Sequence, residues 1–119
     1  MRRDPRAYLW DIQQGCLNVQ SFLHGISLAE YQSKLLLRSA VERQLQNIGE
    51  ALAQLAKLDP QLAARVPEYR QIIGFRNVLV HGDATLNHDQ VWRAIAESLP
   101  PLQSAANALL AGLGAEDPS

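Results

Sequence analysis

The sequence predicts an all-α fold, an antiparallel bundle of four to five helices. Three observations carry this. Apolar residues recur at spacings of three and four along most of the 119 residues, the pattern of a helix with one buried face. The strict alternation that marks a strand is absent. Capping signals and prolines divide the chain into segments of helical length joined by short connections, as in antiparallel bundles.

In the first segment Leu9, Ile12, Cys16, Val19 and Leu23 form one stripe. Pro5 stands near its start, where a missing N–H costs nothing, and Gly25 marks its end. A second helix opens at Ser27, with Glu30 three residues on as a capping box. It is expected to run to Leu58 with Leu37, Val41, Leu45, Ile48, Leu52 and Leu55 inward, with room for a kink near Gly49, and to stop at Asp59-Pro60. A short turn and linker follow. A third helix is expected from about Glu68, carrying Ile72, Ile73, Val78 and Leu79, and ending near His81-Gly82. Asn87 and Gln90 are spaced to open the last helix, with Val91, Trp92 and Ile95 inward. Pro100-Pro101 should break or kink it. Residues 114–119 read as a polar tail, and residues 1–119 as one domain.

Composition narrows the function. The formal net charge is −1, so no global basic field draws nucleic acid, and any RNA contact must come from a local patch. Cys16 is the single cysteine. No intrachain disulfide can form, which fits a reducing cytoplasm. No apolar run approaches the roughly 20 residues that span a bilayer, and Met1-Arg2-Arg3-Asp4 is not followed by an apolar export segment. His24, His81 and His88 lack metal-ligand spacing with one another, and no Gly-rich phosphate loop is present.

Chemistry concentrates in RNVLVHGDATL, Arg76 to Leu86. Asn77 and His81 are four apart and share a helix face. Arg76 and His81 are five apart and diverge by about 140° on a regular helix, converging only if the helix frays toward Gly82. Gly82 permits a sharp turn and close ligand approach, and Asp83 follows within reach of His81 or Arg76. His moves protons near neutrality, and Arg neutralises phosphate charge. Phosphodiester cleavage needs those two roles, because RNA supplies its own 2′-OH nucleophile. No cofactor is then required. The plain structural alternative is a helix C-cap, with His81 on the last carbonyls and Arg76 paired to a carboxylate such as Glu42. Arg38, Glu42, Arg43, Gln46 and Asn47 fall within three turns, as a solvated face or as a polar layer toward Arg76 and His81.

RSAVERQLQNIGEAL, VPEYRQIIGFRNVLVHGD, HDQVWRAI and LPPLQ resemble, in this order and over nearly the whole chain, the HepT-like family of HEPN-domain toxins. The family's motif is an Arg, four to six residues, a His, any residue, then a Tyr. The resemblance implies a dimeric HEPN bundle acting as a metal-independent ribonuclease toxin with a minimal nucleotidyltransferase antitoxin, which attaches AMP to the motif tyrosine. Arg76 and His81 match the catalytic pair, and Asn77 the residue that commonly follows the Arg. The tyrosine position holds Asp83. From the turn after His81 and the polar face of the second helix, Gly82, Asp83, Glu42 and Arg43 are candidate supporting residues. The competing expectation is a non-catalytic HEPN module that binds a nucleotidyltransferase or a nucleotide.

Overall fold

The computed structural model describes residues 4–81 and 87–113. Every regular element among them is a helix: α1 (Pro5–Leu23), α2 (Leu28–Ser33), α3 (Leu35–Leu58), α4 (Pro60–Ala63), α5 (Tyr69–His81) and α6 (His88–Gly112). Four are long, and α2 and α4 are single short turns.

Local chemistry sets the boundaries. Pro5 occupies the first turn of α1, and Asp4 caps it by accepting from Arg6 N at 2.8 Å. Gly25 takes φ +74°, a left-handed conformation that ends the chain's run toward α2 without strain. The capping box forms as its spacing predicts. Ser27 Oγ accepts from Glu30 N at 3.1 Å, and Glu30 Oε1 accepts from Ser27 N at 3.0 Å. Asn87 accepts from Asp89 N and Gln90 N to open α6.

Two expectations are corrected. The long second helix is interrupted at Lys34, which lies at φ −112°, ψ 96°, and not at Gly49. The Arg38 guanidinium donates to the Gln32 carbonyl freed at this break. Pro100 and Pro101 do not end the last helix, and α6 runs through both. Ala96, Glu97, Pro100 and Pro101 all lie on its exposed side, so carbonyls deprived of an N–H partner there face water.

The core forms where the apolar stripes of α1, α3 and α6 meet. Leu9, Ile12, Cys16, Val19, Val41, Leu52, Leu55 and Val91 are fully buried. Helix α1 runs antiparallel to α3, with Gly15 against Ile48 and Asn18 hydrogen-bonded to Gln44. It also runs antiparallel to α6, tied by Gln13 to Asn107 and Gln20 to Gln103. Burial pushes the Cys16 thiol up to about 12. Tyr31 of α2 is buried against Trp92 at 5.3 Å and His88 at 6.4 Å between ring centroids. Its hydroxyl is pushed up to about 12, first by burial and then by the Glu42 carboxylate. Helix α5 packs chiefly on α3, so much of its circumference is left outside the core. No described helix is long and apolar enough to cross a membrane.

Candidate active site

Helix α5 is amphipathic in an unusual way. Ile72, Ile73, Phe75 and Leu79 turn toward the bundle, and Arg76 turns with them. Its Cβ lies over Gly49 of α3, so tightly that a Cβ built on Gly49 would sit 2.3 Å from it. No side chain larger than hydrogen fits there. Gly49 therefore marks the closest approach of α3 and α5 rather than a kink. The next residue, Glu50, receives the guanidinium, with Arg76 Nη2 3.1 Å from Glu50 Oε1. Arg76 is held by its alkyl stem and one carboxylate, with its side chain 23% exposed. Its Nε–H is buried and has no acceptor among the described residues, and leaving such a donor unmet costs about 1–3 kcal/mol.

The opposite face of α5 is open. Arg70, Gly74, Asn77, Val78 and His81 are all exposed, and their spacings of three and four place them on one side of the helix. Val78 is 48% exposed, which corrects its expected place in the core. His81 is the last residue of α5. Since α5 stays helical through His81, fraying by that residue does not bring it to Arg76. The two side chains leave the helix about 140° apart and about 7.5 Å apart along its axis.

The remaining candidates divide. Gly82 and Asp83 lie outside the described residues. The carboxylate partner of Arg76 is Glu50, not Glu42. Glu42 stands eight residues earlier, about 12 Å along α3, and its charge acts on Tyr31 instead. Arg43 is exposed. Arg38 binds back to α2, and Asn47 faces a groove beside α1. Arg38, Glu42, Arg43 and Asn47 thus serve separate surfaces rather than one layer. Among the described residues no three His, Cys, Asp or Glu side chains gather in a way that could hold a metal ion.

Three residues were missed from sequence: Gly49, Glu50 and Gly74. A signal existed for the glycines. Each interrupts an otherwise strong helix former run at a cost of about 1 kcal/mol relative to Ala. Gly49 is explained by Arg76. Gly74 has open space where a Cβ would stand, so nothing among the described residues requires it.

Comparison with known proteins adds the lineage. The model of the family described as "Ribonuclease HepT-like" matches residues 12–109. A protein of Caldanaerobacter subterraneus subsp. tengcongensis named "Putative RNase TTE0752" is 31% identical over 108 residues, covering 91% of this chain and 96% of that one. "Putative RNase MJ1380" of Methanocaldococcus jannaschii is 28% identical over 102 residues, covering 86% and 93%. "Probable ribonuclease HepT" of Thermococcus cleftensis is 25% identical over 103 residues, covering 87% and 93%. No solved structure matches. With a family model matched over most of its length and relatives aligned nearly end to end, the chain belongs to the ribonuclease HepT-like family.

Proposed function

We propose that the chain is a metal-independent endoribonuclease, the toxin of a HepT-type pair, whose active site is composed at a homodimer interface by Arg76 and His81 of both protomers. The observation that carries this is the open face of α5. Asn77, Val78 and His81 stand exposed on it, with an unexplained glycine, Gly74, at its middle. A twofold interface brings one patch together with its own copy. A bare glycine on such a patch lets two helices approach closely.

The chemistry needs two copies. In cleavage by internal transfer, the 2′-oxygen attacks phosphorus and the 5′-oxygen leaves, giving a 2′,3′-cyclic phosphate. One group removes the proton from the 2′-OH, and another gives a proton to the 5′-oxygen. Each chain has one motif histidine, so two His81 side chains across the axis supply base and acid. Arg76 stabilises the anionic transition state. Its unmatched Nε–H is a donor for phosphate oxygen, and Glu50 holds the guanidinium in place. A minimal nucleotidyltransferase is the antitoxin of this reading.

A second reading is favoured by Glu50 together with Asp83: a non-catalytic HEPN module that binds its nucleotidyltransferase partner. Both carboxylates oppose phosphate near the motif, and Glu50 already occupies part of the Arg76 guanidinium. Induction of the chain alone separates the two. Growth arrest that His81→Ala abolishes, with RNA cleavage in the presence of chelator, supports the ribonuclease. Harmless expression of folded protein supports the module.

A further inference from the structure

A chain of net charge −1 offers RNA no global positive field, so a local one has to be found helix by helix. Helix α1 carries Asp11, α3 carries Glu42 and Glu50, and α6 carries Asp89 and Glu97. Helix α5 carries Arg70, Arg76 and His81, and it is the one long helix without an Asp or Glu. Glu50 of α3 already offsets Arg76. The acid nearest in sequence, Glu68, lines the cleft toward α6 with Ile72 and Phe75, on the inward side of α5. The positive charge left on the open face is that of Arg70.

Arg70 is exposed and is held unlike other arginines of the chain. Arg6 meets Asp4, Arg76 meets Glu50, and Arg38 meets the Gln32 carbonyl. The Arg70 guanidinium lies against its own neighbour, Tyr69. Its Nε donates to Tyr69 Oη at 3.1 Å, and its Cζ stands 5.4 Å from the ring centroid, within the range of a cation–π contact. Among the described residues no carboxylate pairs with it, and neither Nη group meets an acceptor. The charge is thus steadied without being neutralised, and the two Nη groups keep their fork for the oxygens of a phosphate. Arg70 also shares the face of the motif. Eleven residues separate it from His81, which places the two about 20° apart around α5 and about 16.5 Å apart along it. Asn77 falls between them, about 20° to the other side. Arg70 stands one turn before Gly74, at the end of the open face away from His81.

We propose that Arg70 binds a backbone phosphate of the RNA, as a positioning residue that lays the strand along α5 so that the bond to be cut reaches His81. Stacked nucleotides advance about 3.4 Å each, so in a stacked strand the bound phosphate lies about five nucleotides from that bond. The contact rests on the ribonuclease reading for its purpose. It is blind to base identity, because phosphates carry no sequence.

The probe is a short single-stranded RNA with 2′-O-methyl groups throughout, which binds but lacks the nucleophile for cleavage. Dissociation constants of U-rich and A-rich strands are measured from about 50 to 200 mM salt. Each phosphate contact to a single strand contributes about 0.7 to the slope of log K against log salt. Arg70→Ala should bind both strands more weakly by the same factor, with a slope about 0.7 shallower, so its deficit shrinks by about 2.6-fold across that range. Arg70→Lys keeps the charge and should keep the wild-type slope. Arg93→Ala removes an exposed arginine from α6 and should change neither affinity nor slope. An unchanged slope in Arg70→Ala, a loss confined to one sequence, or an equal loss in Arg93→Ala would overturn the proposal. So would an Arg70→Ala protein whose dimer weakens in sedimentation while its RNA binding stays that of wild type, since Arg70 would then serve the subunit contact. Cleavage of ordinary RNA is scored separately, and there Arg70→Ala should raise KM far more than it lowers kcat. Wild type that cuts RNA no better than Arg70→Ala refutes the contact alone. The expected change of slope in a protein that cuts nothing refutes the ribonuclease reading alone.

Discussion

Replacing Gly74 with alanine should move monomer stability and dimer affinity in opposite directions. Gly74 sits in the interior of α5, and among the described residues no atom lies within 4 Å of where its Cβ would stand. Within one chain the substitution only improves helix propensity, by about 0.8–1.0 kcal/mol. For a domain of this size that raises the melting temperature by about 4 °C. Across a twofold interface built on this face, two added methyl groups meet a packed surface. Overpacking of that kind costs about 1–3 kcal/mol, so Kd for the dimer rises by roughly five- to 150-fold. The assay pairs thermal unfolding of dilute monomer with sedimentation equilibrium across a concentration series. Gly49→Ala is the internal contrast. Its Cβ would collide with Arg76 at 2.3 Å, so it destabilises the monomer despite the same gain in propensity. A Gly74→Ala protein that is more stable and dimerises as before would refute the placement of the interface on this face.

Other outcomes follow from the same geometry. His81→Ala should lower RNA cleavage by about 10²–10⁴-fold with little change in unfolding midpoint, since His81 is exposed. Arg76→Ala should weaken RNA binding as well as cleavage, and an undiminished rate in either variant would remove that residue from the mechanism. Asp83 should carry no stable AMP when a nucleotidyltransferase partner is co-expressed, because an acyl-phosphate anhydride hydrolyses readily. Intact-mass spectrometry of wild type and Asp83→Tyr checks this, and a stable adduct mapped to wild-type Asp83 would contradict it. Cys16, fully buried and with its thiol pushed up to about 12, should react with maleimide near pH 8 only as fast as the fold opens. Immediate stoichiometric labelling of folded protein would contradict the core assignment.

The fold was largely legible because each long helix carries its own periodic stripe. Leu9, Ile12, Cys16 and Val19 were identified by spacing alone, and all four are fully buried. Pro100 and Pro101 misled because a sequence does not say which face of a helix they occupy. On the exposed face their lost hydrogen bonds are replaced by water. The break at Lys34 was hidden because Ser33, Lys34 and Leu35 carry no turn signal. In the candidate site, Arg76, Asn77 and His81 were singled out by residue type and by family resemblance. Glu50 was not, because the choice between Glu42 and Glu50 depends on where α3 and α5 cross, and that is a tertiary property.

The central claim, that one active site uses His81 from both protomers, is tested most directly by a heterodimer with a single His81→Ala chain. The two chains carry different affinity tags, and tandem purification isolates the mixed species. Metal-chelated RNA cleavage is then compared with the wild-type homodimer at equal concentration. If both histidines serve one reaction, loss of either removes a proton-transfer step, and the heterodimer should fall about 10²–10⁴-fold. If each chain holds an independent site, the heterodimer keeps about half of the wild-type rate, since only one of its two equivalent sites is lost. Retention of that half would contradict the composite site.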